Sequence, residues 1–135
     1  VFVIYKVSSF SRNMRKEISK SNRWYFYDNG IRNALINNFN MLELRDDQGK
    51  LWENYLISER FKRNNYSFNY ASFYFWRTTQ QQEIDYIEEK DGKMSAYEFK
   101  WNAEKKKVKF PSTFSGSYEN SEFRVIDKNN YGEFV

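Results

Sequence analysis

The stretch Glu83-Ile84-Asp85-Tyr86-Ile87-Glu88-Glu89-Lys90-Asp91-Gly92-Lys93-Met94-Ser95-Ala96-Tyr97-Glu98-Phe99-Lys100 reads as two strands joined by a tight turn. Asp91-Gly92 is a strong signal for a two-residue hairpin loop, which needs positive φ at its centre. With that pair as the whole loop, Asp85 stands opposite Glu98 and Glu83 opposite Lys100. Side chains alternate along a strand, so these four residues are expected on one face, with Ile87 and Ala96 further along it. The other face then pairs Ile84 with Phe99 and Tyr86 with Tyr97, an apolar packing surface. A three-residue loop would slip the register by one and exchange the faces.

Two carboxylates directly opposed in a sheet repel and destabilise it. Asp85 and Glu98 therefore call for a positive neighbour. Lys100, two residues along, is one candidate and a divalent cation is the other. The bland alternative is a solvated sheet face, on which Glu83, Asp85, Glu98 and Lys100 make weak surface pairs.

Outward from the hairpin, Ser72 to Arg77 and Glu122 to Ile126 have strand composition. Gly49 to Asn64 is the strongest helix, with Leu51, Tyr55 and Leu56 at helical spacing and Asp46-Asp47 at its positive end. Pro111 suits the first turn of a helix running to about Tyr118. The order from residue 49 is α-β-β-β-α-β, an α/β arrangement with a mixed central sheet flanked by helices. Residues 1–48 add a strand at Phe2 to Val7 and a basic helix or loop at Ser11 to Asn22. A second strand at Trp24 to Tyr27, a turn at Asp28-Asn29-Gly30 and a short helix at Ile31 to Asn37 follow. They are expected to pack on the 49–135 core as part of one structural domain.

The 135 residues include no cysteine and no histidine, which excludes disulfides, thiolate or imidazole metal ligation, and a histidine base. Oxygen-only ligation favours magnesium or manganese, with calcium as a further hard cation. The net charge of +4 is a mild pointer to an anionic partner. Aromatic residues make up 21% of the chain, enough for an aromatic core or for base stacking. No apolar run approaches the ~20 residues of a membrane span and no signal peptide opens the chain, so a cytoplasmic location without membrane contact is expected. The chain begins Val1-Phe2-Val3-Ile4, already strand-like and without an initiator Met. It is expected to be an internal piece of a larger protein. Its five glycines, at 30, 49, 92, 116 and 132, cannot spell a G-x4-GK[ST] loop, so no ATP site is expected in these residues.

Asp85, a hairpin, and then Glu98-Phe99-Lys100 resemble the D…(D/E)-x-K signature of PD-(D/E)XK nucleases, and Glu53 matches the glutamate that the preceding helix often supplies in that fold. Five segments also resemble, in order, an uncharacterised domain that follows the ATPase module in many prokaryotic AAA+-type ATPases. They are Trp24 to Asn33, Leu51 to Asn54, Phe75 to Thr78, Glu83 to Asp85 and Tyr97 to Trp101. The resemblance implies a restriction-endonuclease-like core with Asp85, Glu98, Lys100 and Glu53 as the catalytic set. It further implies magnesium or manganese on Asp85, Glu98 and the Phe99 carbonyl, and Lys100 positioning water and offsetting phosphate charge.

Arg77 would contact phosphate or hold one of the site carboxylates. Lys105, Lys106 and Lys107 form a basic run that is either a solvated connector or a contact for nucleic acid backbone. Two function classes follow. One is a metal-dependent domain cleaving DNA, with the ATPase module of the same protein as partner. The other is a catalytically inactive module of the same fold that binds nucleic acid or a partner and regulates the ATPase. A purely structural domain would leave the four polar residues pointing into water without converging.

Overall fold

The computed structural model describes residues 2–12, 15–102 and 107–135; Lys105 and Lys106 therefore lie outside the described residues. The elements run β1 (Ile4–Ser8), β2 (Asn22–Phe26), α1 (Asn29–Leu35), α2 (Gln48–Tyr66), β3 (Ser72–Arg77), β4 (Glu83–Lys90), β5 (Lys93–Phe99), α3 (Ser112–Ser117), β6 (Ser121–Ile126) and α4 (Tyr131–Phe134), with a 3-10 turn at Leu42–Leu44. They form a mixed α/β fold. The main sheet has the order β3-β4-β5-β6, antiparallel except for the parallel β5–β6 pair, and β1–β2 is a separate antiparallel ribbon. The ribbon is tied to the sheet where Ser9 bridges Phe75 and the Phe10 amide donates to the Phe75 carbonyl at 2.8 Å.

The β4–β5 hairpin forms with the expected loop. Lys90 pairs with Lys93, and Asp91 and Gly92 both have positive φ, 53° and 77°. Tyr86 faces Tyr97 and Ile87 faces Ala96, as the turn requires.

One feature of β4 departs from simple alternation. On the β3 side, Tyr74 pairs with Ile87 and Trp76 pairs with Ile84. Two steps along β3 span three along β4, so β4 carries an extra residue at Asp85-Tyr86. Such a bulge re-aims side chains beyond it. Ile84 consequently packs with Ile87, Ala96, Trp76 and Phe114, whereas Phe99 joins Tyr86 and Tyr97 on the opposite face. The expected packing of Ile84 against Phe99 is therefore wrong, and strict alternation does not carry Glu83 and Asp85 onto the Ile87 face.

Both sheet faces are covered. Helix α2 lays Trp52, Leu56 and Ile57 on the face that also receives Tyr5, Val7 and Tyr25 from the ribbon and Phe134 from α4. Helix α3 places Phe114 on the other face. Two polar residues on α2, Asn54 and Ser58, are buried and fasten β2. The Phe26 amide donates to Asn54 Oδ1 at 2.8 Å, Asn54 Nδ2 donates to the Phe26 carbonyl at 2.9 Å, and Ser58 Oγ donates to the same carbonyl at 2.7 Å. Buried amide groups without partners would be costly, so this pairing sets the position of β2 against α2.

Glu88 on β4 accepts a two-pronged contact from Arg60 on α2, at 2.7 and 2.8 Å, with Asn64 and Tyr86 as further donors. Burial pushes its carboxyl upward, yet these donors more than offset that and hold it below the usual range. The Arg60 and Glu88 side chains are 14% and 7% exposed. Removing one partner strands the other charge, which costs about 3–5 kcal/mol. Glu88→Ala is expected to lose that much in urea unfolding, whereas Lys93→Ala, at an exposed pair with Glu122, should lose less than about 1 kcal/mol.

Candidate active site

The ladder between β4 and β5 ends at Tyr86 and Tyr97. Beyond that point the Asp85 carboxylate takes over, and Asp85 Oδ2 accepts the Phe99 amide at 2.9 Å. The bulge turns Asp85 to this position. On β5, Glu98 Oε1 accepts from Lys100 Nζ at 2.8 Å. From α2, Glu53 Oε1 accepts from the Tyr25 hydroxyl at 2.5 Å. The fastening of β2 by Asn54, the next residue along α2, is what brings Tyr25 to Glu53.

Arg23, two residues before Tyr25 on β2, stands among the acids. Its Nη1 lies 3.6 Å from Glu53 and 3.9 Å from Asp85, and its Nη2 donates to Glu83 at 3.1 Å. The guanidinium rests 4.4 Å from the centre of the Phe75 ring, a cation–π seat that fixes its direction. Arg77 Nε is 3.2 Å from Glu83 Oε1, a proximity of charges without hydrogen-bond alignment. Of the two roles open to Arg77, the geometry gives it a carboxylate, and that carboxylate is Glu83.

The electrostatics follow from this crowding. Burial, then the charges of Glu98 and Glu53, push the Asp85 carboxyl up to about 7, with the Phe99 amide and Arg23 offsetting only part. Lys100 moves the opposite way from a general base. Burial favours its neutral form, but Glu98, Asp85 and Glu53 outweigh that and hold its ammonium above the ordinary value. Lys100 therefore carries a proton at neutral pH and is suited to positioning and charge compensation.

Glu53, Asp85, Glu98 and Lys100, all singled out from the sequence, are thus brought into one electrostatic cluster. Phe99 contributes its amide to Asp85 and its ring to the core. Lys107 is exposed and lies outside any helix or strand. The donor set is all oxygen, which suits magnesium or manganese. In the present arrangement, however, no group of three or more acidic side chains among the described residues stands close enough to share an ion. Glu53 is engaged by Tyr25, Glu98 by Lys100 and Asp85 by Phe99.

The sequence reading missed Arg23, Tyr25 and Lys50. All three line a cleft of about 420 Å³ that opens beside Asp85 and Glu53, with Arg32 and Trp24 also on its wall. Arg32 is held by Asp47 at 2.8 Å, which also receives both prongs of Arg45. Lys50 is exposed, and Trp24 is 60% exposed. The only local signal for this wall is the pair of polar residues, Asn54 and Ser58, among the apolar residues Leu51, Trp52, Leu56 and Ile57 that α2 buries.

A hairpin opened at its mouth by a bulged aspartate, with acids from the adjoining helix and strand, defines a mixed α/β domain with an acidic centre and a partly basic wall. The chain belongs to the family described as Domain of unknown function (DUF4143), whose model matches residues 48–130. A second model, Domain of unknown function (DUF8612), matches residues 1–42. No curated protein and no solved structure matches the chain.

The shifted carboxyl has a consequence for stability. Unfolded, Asp85 titrates near 3.8; folded, near 7. Between those values the folded state holds a proton that the unfolded state has released, so stability falls as pH rises through the window. Asp85→Asn keeps an acceptor for the Phe99 amide and removes the charge. Its Tm is expected to exceed that of the unmodified chain by several degrees at pH ~8, with the difference closing near pH ~4. Equal or lower Tm for the variant at the higher pH would show that this carboxylate is not under strain.

Proposed function

We propose that the chain is a restriction-endonuclease-like domain that hydrolyses phosphodiester bonds of DNA with magnesium or manganese. On this reading it works in the cytoplasm beside an AAA+-type ATPase module of the same protein. The single observation that carries the proposal is the convergence of Glu53, Asp85, Glu98 and Lys100 at the open end of one hairpin. Support also comes from the α-β-β-β-α-β order and from the cleft, where Lys50 and Trp24 offer a cation and an exposed ring to a nucleotide strand.

Asp85, Glu98 and the Phe99 carbonyl would hold the cation, with Glu53 reaching it through water. The ion would supply Lewis acidity at the phosphate and a more acidic bound water. Lys100, protonated and held by Glu98, would orient the water and offset charge building on the phosphate oxygens. Arg23 would have to leave Asp85 and Glu53 for the ion to enter.

That last point favours a second reading. The Arg23 guanidinium already stands within 4 Å of Glu53, Glu83 and Asp85 and offsets part of their charge. On this reading the domain is a catalytically inactive module of the same fold that binds nucleic acid or a partner and regulates its ATPase.

Plasmid nicking in magnesium or manganese separates the two. The first reading expects metal-dependent relaxation of supercoiled DNA, lowered on the order of 10²–10³-fold in Glu98→Gln and in Lys100→Met. No cleavage with either ion, together with a retained gel shift on DNA, would replace it with the second.

A further inference from the structure

Residues 29–44 present their apolar side chains to water. Ile31, Leu35, Ile36, Phe39, Met41, Leu42 and Leu44 are each 42–75% exposed, and α1 and the 3-10 turn contain no buried residue. Helix α1 is amphipathic in the inverted sense. Asn29 and Asn33, one turn apart, face α2, where Asn29 Nδ2 donates to the Leu51 carbonyl at 3.0 Å. Ile31 and Leu35, also one turn apart, lie on the opposite side. A surface helix ordinarily turns its apolar stripe to the core. This one turns it outward.

Between α1 and α2 runs a groove of about 290 Å³, floored by Leu51, Trp52, Tyr55 and Trp101 and bearing no charged residue. Three polar atoms of its lining have no hydrogen-bond partner among the described residues: Trp52 Nε1, Asn29 Oδ1 and Asn33 Oδ1. Trp52 is 8% exposed, so its indole N–H is a buried donor without an acceptor. Buried polar groups are nearly always satisfied, and each orphan in a native fold calls for an explanation. One donor and two acceptors beside an apolar floor match a peptide main chain that carries a large apolar side chain.

The same stretch supplies such a segment. Phe39-Asn40-Met41 projects its two apolar side chains into solvent, 70% and 71% exposed, and Leu42 belongs both to this surface and to the groove wall. A surface that holds both an apolar projection and an apolar recess complements itself across a two-fold axis, the commonest symmetry of soluble oligomers. Seven large apolar side chains at these exposures offer an area on the order of 800 Å², which is what each partner brings to a standard-size interface.

We propose that the chain forms a two-fold homodimer through residues 29–44, with Phe39-Met41 of each copy seated in the Trp52–Trp101 groove of the other. The main chain of that segment meets Trp52 Nε1 and the two asparagine carbonyls.

Sedimentation equilibrium of the whole chain over a concentration series tests this, read beside the Trp52 indole N–H resonance. The expected result is a monomer–dimer equilibrium in which the Trp52 indole N–H moves downfield with dimer fraction. Phe39→Asp and Met41→Asp should each weaken the association about tenfold or more. Both side chains are in solvent in the monomer, so circular dichroism and Tm should be unchanged. A monomer at every concentration overturns the proposal and leaves the face to a different partner. A dimer that neither substitution weakens, or whose formation leaves the Trp52 resonance in place, overturns it equally.

Discussion

The Asp85 carboxylate takes the Phe99 amide at 2.9 Å at the point where β4 and β5 stop pairing, and the placement of Glu98 and Lys100 beside Asp85 descends from that contact. A regular ladder would have used the amide for a main-chain bond and left the aspartate to the strict alternation of its strand. The extra residue at Asp85-Tyr86 breaks the alternation and turns the carboxylate into the gap. Glu98 and Lys100, immediately flanking Phe99, are then carried to it by the chain. Their positions need no further device.

Glu53 arrives by a different route. Helix α2 is held to the sheet by Trp52, Leu56 and Ile57, and to the ribbon by Asn54 and Ser58. Those two polar side chains sit where an ordinary helix would have apolar ones, and they satisfy both main-chain groups of Phe26. The result is a fixed spacing between α2 and β2 that brings Tyr25 to Glu53 and Arg23 to three carboxylates. The same fastening sets the wall of the cleft. Burial raises the cost of every charge in this corner, and the acids are only partly compensated by Arg23 and Lys100. An active site commonly carries such a stability deficit.

The β4–β5 turn and the longer elements are legible locally, whereas the ends of β1, β2 and β5 lie one or two residues from where composition alone puts them. Asp91-Gly92 needs positive φ and specifies the loop, so the register from Tyr86–Tyr97 to Lys90–Lys93 followed from two residues. β3 was bounded correctly from its aromatic run, and α2 and β6 to within two residues at either end, because a sustained apolar pattern has few alternatives. The bulge was not legible. Whether β4 gains a residue depends on how β3 lies beside it, which nothing in Glu83 to Lys90 reveals. The misplaced Ile84 is a direct result. Arg23 escaped notice for a similar reason: Arg23-Trp24-Tyr25 looks like any edge strand until Asn54 is known to hold its neighbour. α4 is four residues long and carries too little periodicity to stand out, although its Phe134 is a core residue.

On the proposed reading, Asp85 and Glu98 form a single site able to exchange the company of Arg23 for a divalent ion. Calorimetric titration of the chain with manganese at neutral pH tests it most directly. One saturable site is predicted, accompanied by release of the proton that Asp85 holds and abolished in Asp85→Asn. Heats no greater than dilution at every manganese concentration, or a site that survives unchanged in that variant, would contradict it.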